Sequence, residues 1–138
     1  MVTEAEALQI DDQFYQAFRD LNLDAMIACW RGGTLDQCIH PGWPPLRGWQ
    51  AIAQSWRDIF VSAGFLRIEA TDRVVRQLGA HFMVSGLEEI YTVLPGGTSQ
   101  ARVASTRIYE LSEDGWKLIL HHGSPVSQTM ARSGPTDH

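Results

Sequence analysis

Apolar and polar positions along this chain follow two periods, and the change falls at Gly64. Before it, apolar residues recur at helical spacing. Leu8, Asp11, Tyr15 and Phe18 lie on one stripe with Phe14 on its flank, and Thr3 followed by Glu6 is a capping-box pattern that predicts a helix starting near Glu4. Asn22 reads as the N-cap of a short second helix, Leu23–Trp30, with Met26, Ile27 and Trp30 on its buried side and Gly32-Gly33 as its stop. A short strand, Leu35–His40, follows. Trp49, Ile52, Ala53, Trp56 and Phe60 then mark the apolar side of a third helix over Trp49–Ser62. After Gly64 the period is two: Phe65–Leu78, His81–Leu94, Gln100–Leu111 and Trp116–Gly123 read as strands joined by short glycine-containing turns, an antiparallel meander. Helices first and strands last predict an α+β fold, with three N-terminal helices packed on one face of a strongly curved sheet.

Alternation assigns faces. Ala101, Val103, Ser105, Arg107 and Tyr109 share one side of their strand. In the last strand, Trp116, Leu118 and Leu120 form the core-facing set, which turns His122 inward and His121 outward. An inward Arg107 needs a carboxylate or an anionic ligand beside it; the alternative is a sheet-surface arginine paired with Glu88 or Glu89. Asp11 interrupts an apolar stripe. Either it is a carboxylate pointing into a cavity, or it lies in solvent at the stripe's edge, the commoner case.

The stretch Leu35–Ile52 carries the densest chemistry. His40 ends a strand and precedes Pro41, which restricts it to extended geometry, and Trp43 stands beside it. A titratable imidazole on so stiff a support suits a pocket wall, and histidine is the commonest acid–base side chain. Asp36, Cys38 and His40 share a strand face, with Cys38 read as a small buried apolar residue rather than a nucleophile. His40, His121 and His122 raise the question of a metal. Adjacent histidines on a strand point to opposite faces, so only His40 and His122 would converge, and two ligands are too few; no metal and no cofactor are expected.

The totals narrow the function classes. A chain of 138 residues suits one domain, placed at 1–125, with 126–138 as a flexible C-terminal tail. Net charge is −5 with scattered basic residues, which argues against nucleic acid. No apolar run approaches the ~20 residues of a membrane span. An acidic, polar N-terminus is not a signal peptide, so a cytoplasmic protein with reduced Cys29 and Cys38 is expected.

The segments FYQAFRDLNLDAMIACW (14–30), CIHPGWPPLRGWQAI (38–52) and STRIYELSEDGWKLILHHGSP (105–125) resemble the nuclear transport factor 2-like superfamily, and the SnoaL-like group within it. The resemblance implies a cone-shaped α+β barrel, a small-molecule ligand in the cone cavity, and a homodimer packed through the sheet. Against the ketosteroid isomerases of the same superfamily, His40 replaces the carboxylate base, Phe14 (beside Tyr15) the tyrosine, and Arg107 the protonated aspartate. All three positions depart from that pattern, so steroid isomerisation by a tyrosine–aspartate oxyanion hole does not carry over. What the resemblance implies instead is a cofactor-independent isomerase, cyclase, lyase or hydrolase. His40 is then the general base and Arg107 the holder of an anion or developing enolate. His122 orients His40 or acts as a second acid, and Tyr15, Trp30, Trp43, Trp56 and Tyr109 line the ligand pocket. The alternative is a non-catalytic ligand-binding or association module, which gains if Arg107 is satisfied by a buried glutamate.

Overall fold

The computed structural model describes residues 1–127. Among them, three helices and six strands run in the order α1 (Glu4–Arg19), α2 (Leu23–Ala28), β1 (Gln37–Ile39), β2 (Leu46–Arg47), α3 (Trp49–Ser62), β3 (Phe65–Leu78), β4 (His81–Leu94), β5 (Gly97–Ser112) and β6 (Gly115–Pro125). The first turn of α1 is held as its sequence predicts. Thr3 Oγ1 accepts from the Glu6 N–H at 3.1 Å, and Glu6 Oε1 accepts from the Thr3 N–H at 2.9 Å. Helix α2 is shorter than expected. Trp30 leaves it to bridge Leu118 in parallel, and backbone bonds from Leu118 N to Cys29 O (2.8 Å) and from Arg31 N to Leu118 O (2.9 Å) take the place of another helical turn.

The strands form one sheet in the order β2-β1-β6-β5-β4-β3. The meander of β3 to β6 is antiparallel as expected, but β1 adds to β6 in parallel, pairing Cys38 with His121. The two-residue β2, hidden in the proline-rich stretch, was not expected; it pairs with β1. The sheet curves around the helices without closing, so the architecture is an open α+β cone.

Two bulges break the period of two, and each redirects a side chain. In β6, Tyr109 pairs with Leu118 while Ile108 pairs with Leu120, leaving Ile119 as the extra residue. Beyond it the facing reverses: His121 is buried and His122 exposed, opposite to the strict alternation. In β3 the register shifts between Thr71 and Val74, with Asp72 at φ 53°, and Arg73 turns toward α1. Gly86 on β4 makes room for that bulge, since a Cβ there would meet Thr71 O at 2.8 Å.

Between sheet and helices the core joins Phe14, Phe18, Trp56, Phe60, Phe82 and Leu118. Phe14 and Phe18 meet the Trp56 ring edge-on at 5.8 and 5.1 Å, and Phe82 stacks on Tyr109 at 4.7 Å. The tail expected over 126–138 lies, from residue 128 onward, outside the described residues; Val126 N still bonds to Arg102 O. Among the described residues no helix is long and apolar enough to cross a membrane.

Candidate functional site

A layer of buried polar side chains runs through this core from α1 to the end of β1. At one end stands Asp11, fully buried rather than in solvent at the edge of its stripe. Arg107 grips it with two bonds, Nε to Oδ1 at 2.6 Å and Nη2 to Oδ2 at 3.0 Å. The Tyr109 hydroxyl donates to Oδ1 at 2.7 Å, and Arg73 Nη1, delivered by the β3 bulge, reaches Oδ2 at 3.1 Å. The remaining face of Arg107 is also occupied: Nη1 donates to Ser105 Oγ at 2.7 Å, and the guanidinium lies over the Tyr15 ring at 4.8 Å. Burial opposes the charge of Arg107, but the tyrosines and Asp11 around it raise its pKa above the usual arginine value. Arg107 therefore does face inward, yet each of its three nitrogens already has a partner in the protein itself. The role of anion holder meets a guanidinium already saturated by a carboxylate.

Glu88 links the two ends. It is 2 % exposed and accepts from the Tyr15 hydroxyl at 2.6 Å, with Arg107 Nη1 and His121 Nε2 each 3.9 Å from Oε2. Burial pushes its pKa up, but His121, Tyr15 and Arg107 together hold the carboxyl below its ordinary value.

The far end is built on β1, β6 and α3. Cys38 and His40 project from the inner face of β1, and the β6 bulge sets His121 beside them. Cys38 Sγ lies 3.6 Å from His121 Nδ1, 3.6 Å from His40 Nε2 and 3.9 Å from His40 Nδ1. Ser55, from α3, donates its hydroxyl to Ile52 O at 2.6 Å, so its oxygen accepts from His40 Nε2 at 2.9 Å. That assigns the Nε2–H tautomer and leaves the His40 Nδ1 lone pair facing the Cys38 thiol at 3.9 Å. Burial, and then neighbouring His121, push the His40 pKa down to about 3 against a weaker pull upward from Glu88, so the ring is neutral at pH 7. Burial raises the Cys38 thiol to about 12, which keeps it protonated and inert as a nucleophile.

Aromatic rings close this end. Trp56 and Trp43 meet the His40 ring edge-on, each at 4.8 Å. Trp43 is 41 % exposed while His40 is 3 % exposed, so one indole separates the imidazole from solvent. Buried side-chain polar atoms without a partner are few among the described residues: Trp30 Nε1, Trp56 Nε1 and His121 Nε2. Two of the three stand beside His40.

Of the residues singled out in the sequence, His40, Trp56 and Trp43 come together here, and Tyr15 joins them through Glu88. Tyr109 belongs to the Asp11 end. Trp30 lies against Leu118 and lines a surface groove with Ala28 and Lys117. His122 neither orients His40 nor enters the interior; it lines a groove on the outer face of the sheet with Val74, Leu87 and Thr106. Ser55 was missed, His121 was turned outward by strict alternation, and Glu88 was considered only as a surface partner of Arg107. The signal for Ser55 was a hydroxyl on the apolar side of the third helix, and for Glu88 an acidic residue at an inward strand position.

A family model described as SnoaL-like domain matches residues 8–128. Among curated proteins, an F-box protein, SKIP8, of Arabidopsis thaliana is 24% identical over 123 residues, 88% of this chain and 50% of that protein. The chain thus spans about half the length of the curated relative it matches. Among solved structures, a candidate dehydratase of the NTF2-like family from Streptomyces avermitilis superposes with TM-score 0.81 at 25% identity, covering 87% of this chain and 93% of that one. A candidate calcium/calmodulin-dependent protein kinase type II association domain from Thiobacillus denitrificans is 31% identical with TM-score 0.69, covering 86% and 93%.

Proposed function

The chain belongs to the SnoaL-like domain family, within the nuclear transport factor 2-like superfamily, and on that premise we propose that it is a small-molecule pocket protein whose site is the His40 end of the interior. The ligand class is a small, largely apolar compound with a carbonyl or carboxylate group. The reaction class is cofactor-independent proton transfer, of the isomerase, cyclase or dehydratase kind, with His40 as the base. One observation carries this reading: His40, buried and neutral, lies edge-on to Trp56 at 4.8 Å, and the Trp56 indole N–H beside it is a buried donor without a partner in the protein. A ligand oxygen seated among them would supply the missing partner.

In that role His40 Nδ1 takes the proton, with Ser55 fixing the ring through Nε2. A closed, dry imidazole is a weak base, but it is fully unprotonated at neutral pH. Negative charge developing on the ligand beside it favours the imidazolium as the proton moves. His121, with Nδ1 turned to the Cys38 thiol and Nε2 toward the Glu88 carboxylate, is held in place beside His40, and the Trp56 indole N–H is the donor offered to the developing oxyanion. Arg107, Asp11 and Tyr109 act as positioning residues that hold α1 against the sheet. Entry requires Trp43 to swing off His40.

A second reading is favoured by the saturation of Arg107 and by the association domain among the similar structures. On that reading the chain is an association module, and the outer sheet face with Leu87, Ala104 and Thr106 joins two copies. A panel of small carbonyl and carboxylate compounds, assayed with wild type and His40→Ala, separates the two. Turnover or saturable binding that disappears in a folded His40→Ala protein is the expected result. A folded variant with unchanged binding, or a wild type that binds nothing and only dimerises, overturns the pocket reading.

A further inference from the structure

Cys38, His40 and His121 bring one sulfur and two imidazole nitrogens within 4.8 Å of one another, with all three side chains buried. Strict alternation along the last strand would bring His40 only His122. The bulge at Ile119 exchanges His122 for His121, and the parallel pairing of β1 with β6 sets Cys38 directly beside it. Three donors then converge, not two.

Their lone pairs are free for a metal. Ser55 occupies His40 Nε2, which leaves Nδ1 at 3.9 Å from Cys38 Sγ. His121 turns Nδ1 to the same sulfur at 3.6 Å and Nε2 toward Glu88. Metal-bound histidines use this arrangement: the far nitrogen of each ring faces a carboxylate or another acceptor, which orients the near one. A metal about 2.3 Å from sulfur and about 2.0–2.1 Å from nitrogen, at tetrahedral to trigonal angles, separates the two donors by roughly 3.5–3.8 Å. The Cys38–His121 distance already fits, and the Cys38–His40 distance is within about 0.1 Å of that range. The longest edge of the triangle, between the two nitrogens, would close by up to roughly 1.4 Å on loading.

We propose that Cys38, His40 and His121 form a binding site for one thiophilic closed-shell metal ion, copper(I) or zinc(II). Loading displaces the Cys38 thiol proton to solvent and leaves a thiolate–metal bond. Charge favours copper(I). Asp11 and Glu88 are already matched by Arg73 and Arg107, so a thiolate with a monovalent ion adds no net charge to the interior, whereas zinc(II) needs a hydroxide as fourth ligand to do the same. The ion would occupy the His40 lone pair that proton transfer uses, so the two occupants exclude each other. Metal binding itself does not depend on the catalytic reading.

The test is equilibrium dialysis of metal-stripped protein in a Cys29→Ser background, without oxygen, against Zn²⁺ alone and Cu⁺ alone, with X-ray absorption of the loaded protein. The expected result is one ion of at least one of the two metals per chain, a metal–sulfur distance near 2.2–2.3 Å, and a loss of at least about tenfold in affinity in Cys38→Ser and in His121→Gln, with His122→Gln unchanged. No stoichiometric uptake of either metal, a bound metal without sulfur, or equal loss in His122→Gln overturns the proposal. The absorption spectrum of the Cys29→Ser protein decides the matter even where a further variant fails to fold. Turnover of metal-stripped protein tests the proton-transfer reading separately: failure of one leaves the other standing.

Discussion

The two ends of the buried polar layer are made of similar material and are finished differently. Around Asp11, two arginines, a tyrosine and a serine spend their hydrogen bonds on one another, and Arg107 makes a two-point contact with the carboxylate. Around His40, a thiol, two imidazoles and an indole lie in contact, yet Trp56 Nε1 has no hydrogen-bond partner and His121 Nε2 has only the Glu88 carboxylate, at 3.9 Å. A satisfied ion-pair network fixes the fold. An unsatisfied cluster one indole below the surface costs stability and is worth keeping where something else completes it. Burial and charge alone would have ranked Arg107 first; hydrogen-bond satisfaction reverses the order.

The largest expected effect lies at the satisfied end. Arg107→Met strands Asp11 with only Arg73 and Tyr109, and should cost about 3–5 kcal/mol in urea unfolding. Combining it with Asp11→Leu should cost less than the two single changes added, since the pair acts as a unit. A loss under about 1 kcal/mol for Arg107→Met would mean that its guanidinium faces a vacant ligand site instead.

The second effect is a pH dependence from the other end. His40 is held near 3 in the folded chain against an ordinary 6.5, so between these values the unfolded state binds more protons and stability falls as pH drops. The loss should begin near pH 6.5 and reach on the order of several kcal/mol at most. Glu88, whose folded pKa is lowered, adds to it only below its ordinary 4.5. His40→Gln should flatten the stretch above pH 4.5; an unchanged profile would contradict the burial of a neutral imidazole.

Smaller effects follow. Trp43→Ala removes a half-exposed ring from His40 and should cost about 1 kcal/mol, while thiol reagents reach Cys38 faster. Unchanged labelling would place the way in elsewhere. Arg102→Ala, breaking a part-exposed pair with Glu89, should change stability by no more than about 1 kcal/mol, and a larger loss would blur the contrast between surface and interior pairs.

Much of this was legible in the sequence because it depends on period. Helix α3 and strands β3 and β4 have their expected bounds, and the inward set Val103, Ser105, Arg107 and Tyr109 follows from alternation alone. His40, read from its prolyl restriction as a pocket wall, is buried just past β1. The errors share one cause. A bulge adds a residue without changing composition, so nothing in LILHH announces that Ile119 reverses the facing of His121 and His122. The β3 bulge likewise hid Arg73, whose partner Asp11 then looked like a solvent-edge carboxylate. Partnerships between residues 62 to 98 positions apart carry no local signature.

The most direct measurement is the side-chain ¹⁵N–¹H NMR spectrum of the histidines from pH 4 to 8, recorded for the metal-stripped protein. The expected result is His40 as a neutral Nε2–H tautomer across pH 5–8, with Nδ1 showing the shift of an unprotonated nitrogen. A His40 that protonates near pH 6.5, or carries its proton on Nδ1, would contradict a free lone pair in the interior and, with it, the site proposed here.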